Sequence, residues 1–258
     1  MKSIMREVGD NIWGTDSRLA QTCRDYVYPG RYTKRWLNKK QARYISPVRM
    51  FLIINLVYFL SLSFLNQFGL NFDTFVTPFY SQLNNQIYSG LMSDSATSII
   101  ASSGIEESQF AALYNDRVFT ISNSFIIILT FLASAILYMV NFNRCHLLYH
   151  HTTMGFYYGG YLLLIFLAAN ILLVTPILIL DHFYIIPTWM KNDYTLSSLL
   201  VACLFLFSLI SQQHMYGEKK SITFLKSVVI TFLFTFFGVI FYRFILFWIT
   251  TLSILIFP

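Results

Sequence analysis

The stretch that decides the fold is residues 50–66, MFLIINLVYFLSLSFLN, which carries no charged side chain from end to end. A segment of this length is within the roughly 17 to 25 residues that bridge a hydrocarbon core as a helix. Charge returns only on its flanks, with Arg49 immediately before it. The pattern recurs downstream. Residues 119–142, FTISNSFIIILTFLASAILYMVNF, and about 155–180 are likewise uncharged, and Pro176 predicts a kink near the far end of the latter. A fourth run spans about 194–211, before the polar SQQHMYGEKK. The last, Ile222–Pro258, is interrupted by Arg243 and reads as one long tilted helix, with Arg243 reaching toward the far interface and its final residues lying there or on the bundle; a re-entrant pair is the alternative.

Composition agrees: 56% of the 258 residues are hydrophobic and only 12% are charged, against about 25% in soluble domains. The expected fold class is therefore all-α, a polytopic transmembrane helical bundle of about five spans with amphipathic interfacial helices. Two regions are expected: a cytoplasmic basic amphipathic collar over 1–48, and a bundle over 49–258 that includes an outer helical loop at 69–118.

The net charge of +6 is concentrated, since residues 1–49 hold eleven of the eighteen Lys and Arg and four of the twelve acids. Arg31, Lys34, Arg35, Lys39, Lys40, Arg43 and Arg49 precede the first span. Positive flanks resist translocation, which places this segment, Arg144, and Lys219, Lys220 and Lys226 in the cytoplasm. The N-terminus is then inside and the C-terminus outside. So close to a span, these seven cations point to anionic lipid headgroups, each worth on the order of 1 kcal/mol, rather than to nucleic acid. The first apolar run begins too late for a cleaved signal peptide and predicts a signal anchor.

Within the collar, residues 15–28 predict a short helix capped by Thr15 or Asp16, with Leu19, Cys23, Tyr26 and Val27 inward and Pro29-Gly30 ending it. The outer loop is too long to be structureless. Phe75, Phe79, Leu83, Ile87 and Leu91 recur every four residues and predict a helix from about Pro78. A second helix is expected from near Ser103, boxed with Glu106 and carrying Phe110, Leu113, Tyr114 and Val118 on one side. Cys23, Cys145 and Cys203 share no metal or redox spacing.

Three blocks in order carry a resemblance. They are Asp25-Tyr26, Pro29-Gly30-Arg31, Lys40 and Arg43-Tyr44-Ile45-Ser46-Pro47-Val48-Arg49 before the first span; His146-Leu147-Leu148 with Phe156; and Met215-Tyr216-Gly217 with Lys226. Together they resemble an uncharacterised family of bacterial multispan membrane proteins, a domain of unknown function. The chain departs from that pattern at Lys39, where the family tends to have Gly, and at Gln41, where it tends to have Arg. It also lacks the Cys-rich ribbon of many members. The resemblance implies a bacterial inner-membrane topology and no particular activity.

Candidate chemistry is sparse. His146, His150 and His214 fall on the cytoplasmic side with Glu218, and the four-residue spacing of His146 and His150 stacks them on one helix face. Three nitrogens and one carboxylate would suit a divalent metal such as zinc or iron. Interfacial histidines also occur for their amphipathicity alone. Spans one to four hold no Asp, Glu, Lys, Arg or His, which argues against proton-coupled transport. Asn55, Asn123, Ser124 and Asn170 are the polar residues at depth and predict helix–helix hydrogen bonds. No phosphate loop, nucleophile elbow or paired carboxylate is present, so no cofactor is expected beyond that metal and the chain leans away from being an enzyme. The leading expectation is a non-enzymatic scaffold or small transport-like protein in contact with anionic lipid. The alternative is a membrane metal-binding protein or enzyme using the histidine cluster.

Overall fold

A computed structural model describes residues 18–38, 41–67, 78–84, 89–143, 147–177 and 193–256. Every regular element among these is helical. In chain order they are α1 (18–26), α2 (Arg31–Leu37), a 3-10 turn at Gln41–Arg43, α3 (Pro47–Gln67), α4 (Phe79–Asn84), α5 (Ser89–Ser103), α6 (Glu107–Phe125), α7 (Ile127–Asn141), α8 (Leu148–Ala169), α9 (Asp193–Tyr216), α10 (Lys220–Thr235) and α11 (Tyr242–Ile256). Four helical segments are long and apolar enough to cross a membrane: Pro47–Leu65, Leu148–Ile177, Ser197–Tyr216 and Lys220–Ile256. The α6–α7 pair, bent by 43° at Ile126, makes a fifth when counted as one.

Residues 50–66 fall within α3. The Ser46 hydroxyl accepts from the Arg49 N–H at 3.4 Å, and Pro47 occupies the first turn, where a missing N–H costs nothing. Asn55 donates to Asn123 Oδ1 at 3.4 Å, the interhelical bond expected of an amide at depth. Upstream of Pro176 the helix carries a π-helical turn at Asn170–Val174, where Thr175 N–H reaches back to the Asn170 carbonyl.

The tightest helix crossing joins α7 to α8. A Cβ at Gly155 would sit 1.9 Å from Ser134 Oγ and 2.5 Å from the Thr130 carbonyl, and one at Gly159 would sit 2.5 Å from Thr130 Cγ2. Between them they form a Gly-xxx-Gly face on which α7 lies almost backbone to backbone, as small residues permit in apolar surroundings.

The C-terminal run is one helical stretch with a π-helical segment at Phe236–Phe241, and its last turns lie on the bundle. Thr250, Thr251 and Ile254 are buried, Arg117 donates to the Ser253 carbonyl at 2.6 Å, and Tyr114 meets Phe247. At 37 residues, this stretch is about 55 Å long, well beyond the roughly 30 Å of a hydrocarbon core. Its α11 half pairs with α6, and α4 covers α6 through Phe79, which packs on Phe110 and Tyr114.

Three local expectations are corrected. Leu19 and Cys23 of α1, and Val27 just after it, are exposed, while Thr22 and Asp25 join Tyr26 in the buried face, because an ion-paired carboxylate rather than an apolar stripe faces inward. The Thr15 or Asp16 cap lies outside the described residues. The Phe79 stripe does not continue to Leu91, which is exposed; α4 ends at Asn84 and α5 buries Met92 and Ala96 instead, while Phe75 and Ile87 lie outside the described residues. Ser103 ends α5 rather than starting α6, whose cap position is Glu106 with no side-chain capping bond. Phe110, Tyr114 and Val118 are buried along α6, as their spacing predicts.

Candidate functional site

Among the described residues, a polar network lies where α1, α2 and the start of α3 dock on α8 and the end of α9. Asp25 is fully buried at its centre. Its carboxylate accepts from the Tyr44 hydroxyl at 2.7 Å, is ion-paired and hydrogen-bonded with Arg35, and pairs with Arg31 Nε at 3.4 Å. Burial pushes the Asp25 carboxyl up, but the Tyr44 and Arg35 hydrogen bonds and the two guanidinium charges outweigh it and hold it below its ordinary value. The same bonds raise Arg35.

Around this node, side chains of the bundle close the exposed end of α1. The last carbonyls of a helix have no partner within it. Here the Tyr157 hydroxyl faces the carbonyls of Tyr26 at 3.2 Å and Tyr28 at 3.4 Å, and Tyr161 donates to the Val27 carbonyl at 3.3 Å. Next in line, Nδ1 of His214 lies 2.7 Å from the Pro29 carbonyl. Only a protonated Nδ1 can make that contact, which fixes the tautomer of the neutral ring. The Gly30 N–H donates to the Tyr157 hydroxyl at 3.1 Å. Tyr26 returns a bond to the Tyr157 carbonyl at 3.1 Å, with the two rings edge-on at 4.8 Å. Burial pushes Tyr26 and Tyr32 up, so both remain neutral donors at physiological pH.

Gly30 has φ +76°, and a Cβ there would lie 2.9 Å from His214 Cβ and 3.0 Å from the Ser211 carbonyl. Both the left-handed backbone and the close approach require glycine. Gly217, at φ +60°, ends α9, its N–H donating to the Gln213 carbonyl at 3.1 Å. Just beyond, the buried Glu218 carboxylate pairs with Lys226 at 2.8 Å, and Lys226 also donates to Asn141 Oδ1 at 3.1 Å.

The structure sorts the basic residues named from sequence. Arg31 and Arg35 are committed to Asp25. Lys34, Arg43 and Arg49 are exposed, while Lys39 and Lys40 lie outside the described residues. The histidine set does not converge among the described residues: His214 is bonded to Pro29, Glu218 to Lys226, and His150 is half-buried at the start of α8. His146 lies outside them. Among the described residues no three His, Cys, Asp or Glu side chains are placed to hold a metal ion.

Residues 16–59 match the model of a family described as "Protein of unknown function (DUF3667)". No curated protein and no solved structure matches the chain. The matched segment runs from α1 through the first half of α3, and so contains the Asp25 node, the Pro29-Gly30 turn and the Ser46-Pro47 helix start. From sequence, Asp25 enters only as part of the family-like block, with neither its burial nor its pairing to Arg31 and Arg35 foreseen. The signal was available, since Asp25 is the one acid between Asp16 and Asp73. Gly155-Phe156-Tyr157-Tyr158-Gly159 was likewise legible as a helix-packing motif.

Proposed function

We infer that this chain is a non-enzymatic, multi-pass helical bundle of a bacterial inner membrane, whose N-terminal cap sits at the cytoplasmic face and holds anionic headgroups. Five crossings accommodate the apolar helices, counting α6–α7 as one, with the N-terminus inside and the C-terminus outside. The bacterial setting rests on the family resemblance, and the orientation on the excess of cations before α3 and between α9 and α10. The observation that carries the lipid reading is the sorting of cations around Asp25. The buried carboxylate engages Arg31 and Arg35 and thereby rigidifies the cap, leaving Lys34, Arg43 and Arg49 on its surface with no acid paired to them among the described residues. Arg43 and Arg49 flank the start of α3, at the depth where headgroup phosphates would lie.

The test uses full-length protein in nanodiscs of phosphatidylcholine, with and without phosphatidylglycerol. Phosphatidylglycerol is expected to raise the melting temperature of the wild type. A Lys34→Gln, Arg43→Gln, Arg49→Gln variant should lose most of that gain while melting normally in the neutral lipid. An equal gain in both proteins would refute the assignment.

A further inference from the structure

The hairpin between α9 and α10 carries a second feature, separate from the cap cations. A cavity of about 390 Å³, within the range of small-molecule sites, opens between the end of α9 and the start of α10. It is lined by Leu209, Ile210, Gln213, His214, Lys220 and Phe224. These residues are layered by depth. Gln213, His214 and Lys220 lie nearest the turn, and Leu209, Ile210 and Phe224 lie about one helical turn, roughly 5 Å, further along each helix. Ile210 and Phe224 are exposed, so the apolar end opens outward. No acid lines the cavity, and the nearby Glu218 carboxylate is occupied by Lys226. With Nδ1 of His214 held by the Pro29 carbonyl and the Gln213 amide nitrogen donating to the Glu218 carbonyl at 3.2 Å, Lys220 is the cation of the rim.

We propose that this cavity is a binding site for one anionic phospholipid, its phosphate on Lys220 and the head of an acyl chain on Leu209, Ile210 and Phe224. A soluble phosphate would satisfy the rim but leave the apolar layer unused, and a zwitterionic lipid, whose phosphate is already balanced by its own ammonium, would leave the Lys220 charge only partly neutralised. The site rests on the membrane placement inferred above but not on Lys34, Arg43 or Arg49.

The experiment is native mass spectrometry of the full-length protein in detergent, titrated with phosphatidylglycerol, phosphatidylcholine of the same chains, or glycerol 3-phosphate. One phosphatidylglycerol should be retained about fivefold more tightly than phosphatidylcholine, the ratio that roughly 1 kcal/mol per interfacial lysine gives. Lys220→Gln should erase that preference, Leu209→Trp should expel either lipid, and Lys219→Gln, a neighbouring lysine outside the lining, should change nothing. Equal retention of the two lipids, an unaffected Lys220→Gln, or glycerol 3-phosphate binding as tightly as phosphatidylglycerol each overturns the assignment. Should a variant not fold, photoactivatable phosphatidylglycerol on the wild type decides. Crosslinks within 209–224 support the site, and crosslinks confined elsewhere refute it. Crosslinks at this hairpin that persist in the Lys34, Arg43, Arg49 variant would separate this site from the cap.

Discussion

Helix α8 is held on two sides by opposite means. Towards α7 it presents Gly155 and Gly159, and the contact is bare proximity of two backbones. Towards the cap it presents Tyr157 and Tyr161, whose hydroxyls reach the carbonyls of Tyr26, Val27 and Tyr28. The difference follows from what each partner leaves unsatisfied. Within α7 the backbone groups are already paired, so dispersion at close range is what remains to be gained. At the end of α1 several carbonyls are orphaned, and burying them without donors would cost roughly 1 to 3 kcal/mol each. The bundle therefore supplies hydroxyls and an imidazole where it meets a turn, and glycine where it meets a helix.

If that division is right, the glycine side should be the less forgiving. Gly155→Leu places carbon where Ser134 Oγ and the Thr130 carbonyl already lie, and the carbonyl cannot swing aside as a side-chain end would. A loss of about 3 kcal/mol or more is expected, read as a collapse of the thermal melt in detergent. Gly155→Ala combined with Ser134→Gly should recover part of it, because the Ser134 hydroxyl, the nearest of three obstructions, is removed while the Thr130 carbonyl and the Ser134 backbone nitrogen remain. A Gly155→Leu protein that melts like the wild type would show that α7 and α8 do not cross at this distance.

On the polar side the largest effect belongs to Asp25. Asp25→Asn leaves Arg31 and Arg35 without a counter-charge, although both are part-exposed and can turn toward water. About 2 kcal/mol is expected, in line with hydrogen bonds to charged groups. The pH dependence has a definite sign. Because the folded carboxyl lies below its ordinary value, its contribution is complete above about pH 4 and declines as pH falls from there through the folded value. Melting curves between pH 3 and 7 should thus converge for the wild type and Asp25→Asn at the acid end. A constant gap across that range would exclude Asp25 as the stabilising charge.

These two sides were unequally legible. The apolar spans are readable because hydrophobic length over bare stretches such as 50–66 is a property of sequence alone. So is the Gly155–Gly159 spacing. The face of α1 is not, because apolar periodicity assumes that hydrophobic residues point inward, while Asp25 is buried by pairing with Arg31 and Arg35, whose geometry exists only after folding. The serine-rich α5 escapes periodicity for another reason. Ser95 and Thr97 return their hydroxyls to the carbonyls of Leu91 and Ser93, satisfying within the helix the polar groups that a sequence reading assigns to loops. Which cations face water follows from where Asp25 lies, so the sorting of the collar was equally out of reach.

Removing one hydroxyl should separate capping from packing. Tyr157→Phe keeps the ring against Tyr26 but strands the Gly30 N–H and the Tyr26 carbonyl in a buried site. A cost of about 1.5 kcal/mol is expected, with faster amide exchange across 18–30 and unchanged exchange in α7. Exchange that accelerates equally in both helices would mean that cap and bundle open as one unit.

Tyr161→Phe should have the smallest effect, and it tests whether the carbonyls at and just beyond the end of α1 differ in need. The Tyr161 ring stacks on Phe207 at 3.9 Å and 15°, a contact that phenylalanine preserves. Only the 3.3 Å bond to the Val27 carbonyl is lost, and Val27 is exposed at the rim of the cap, where water can take over an acceptor. A change within about 0.5 kcal/mol is expected, roughly additive with Tyr157→Phe since the two hydroxyls serve different carbonyls. A double variant that loses far more than the sum would mean that the two bonds hold one another in place, with the end of α1 released as a whole once either is gone.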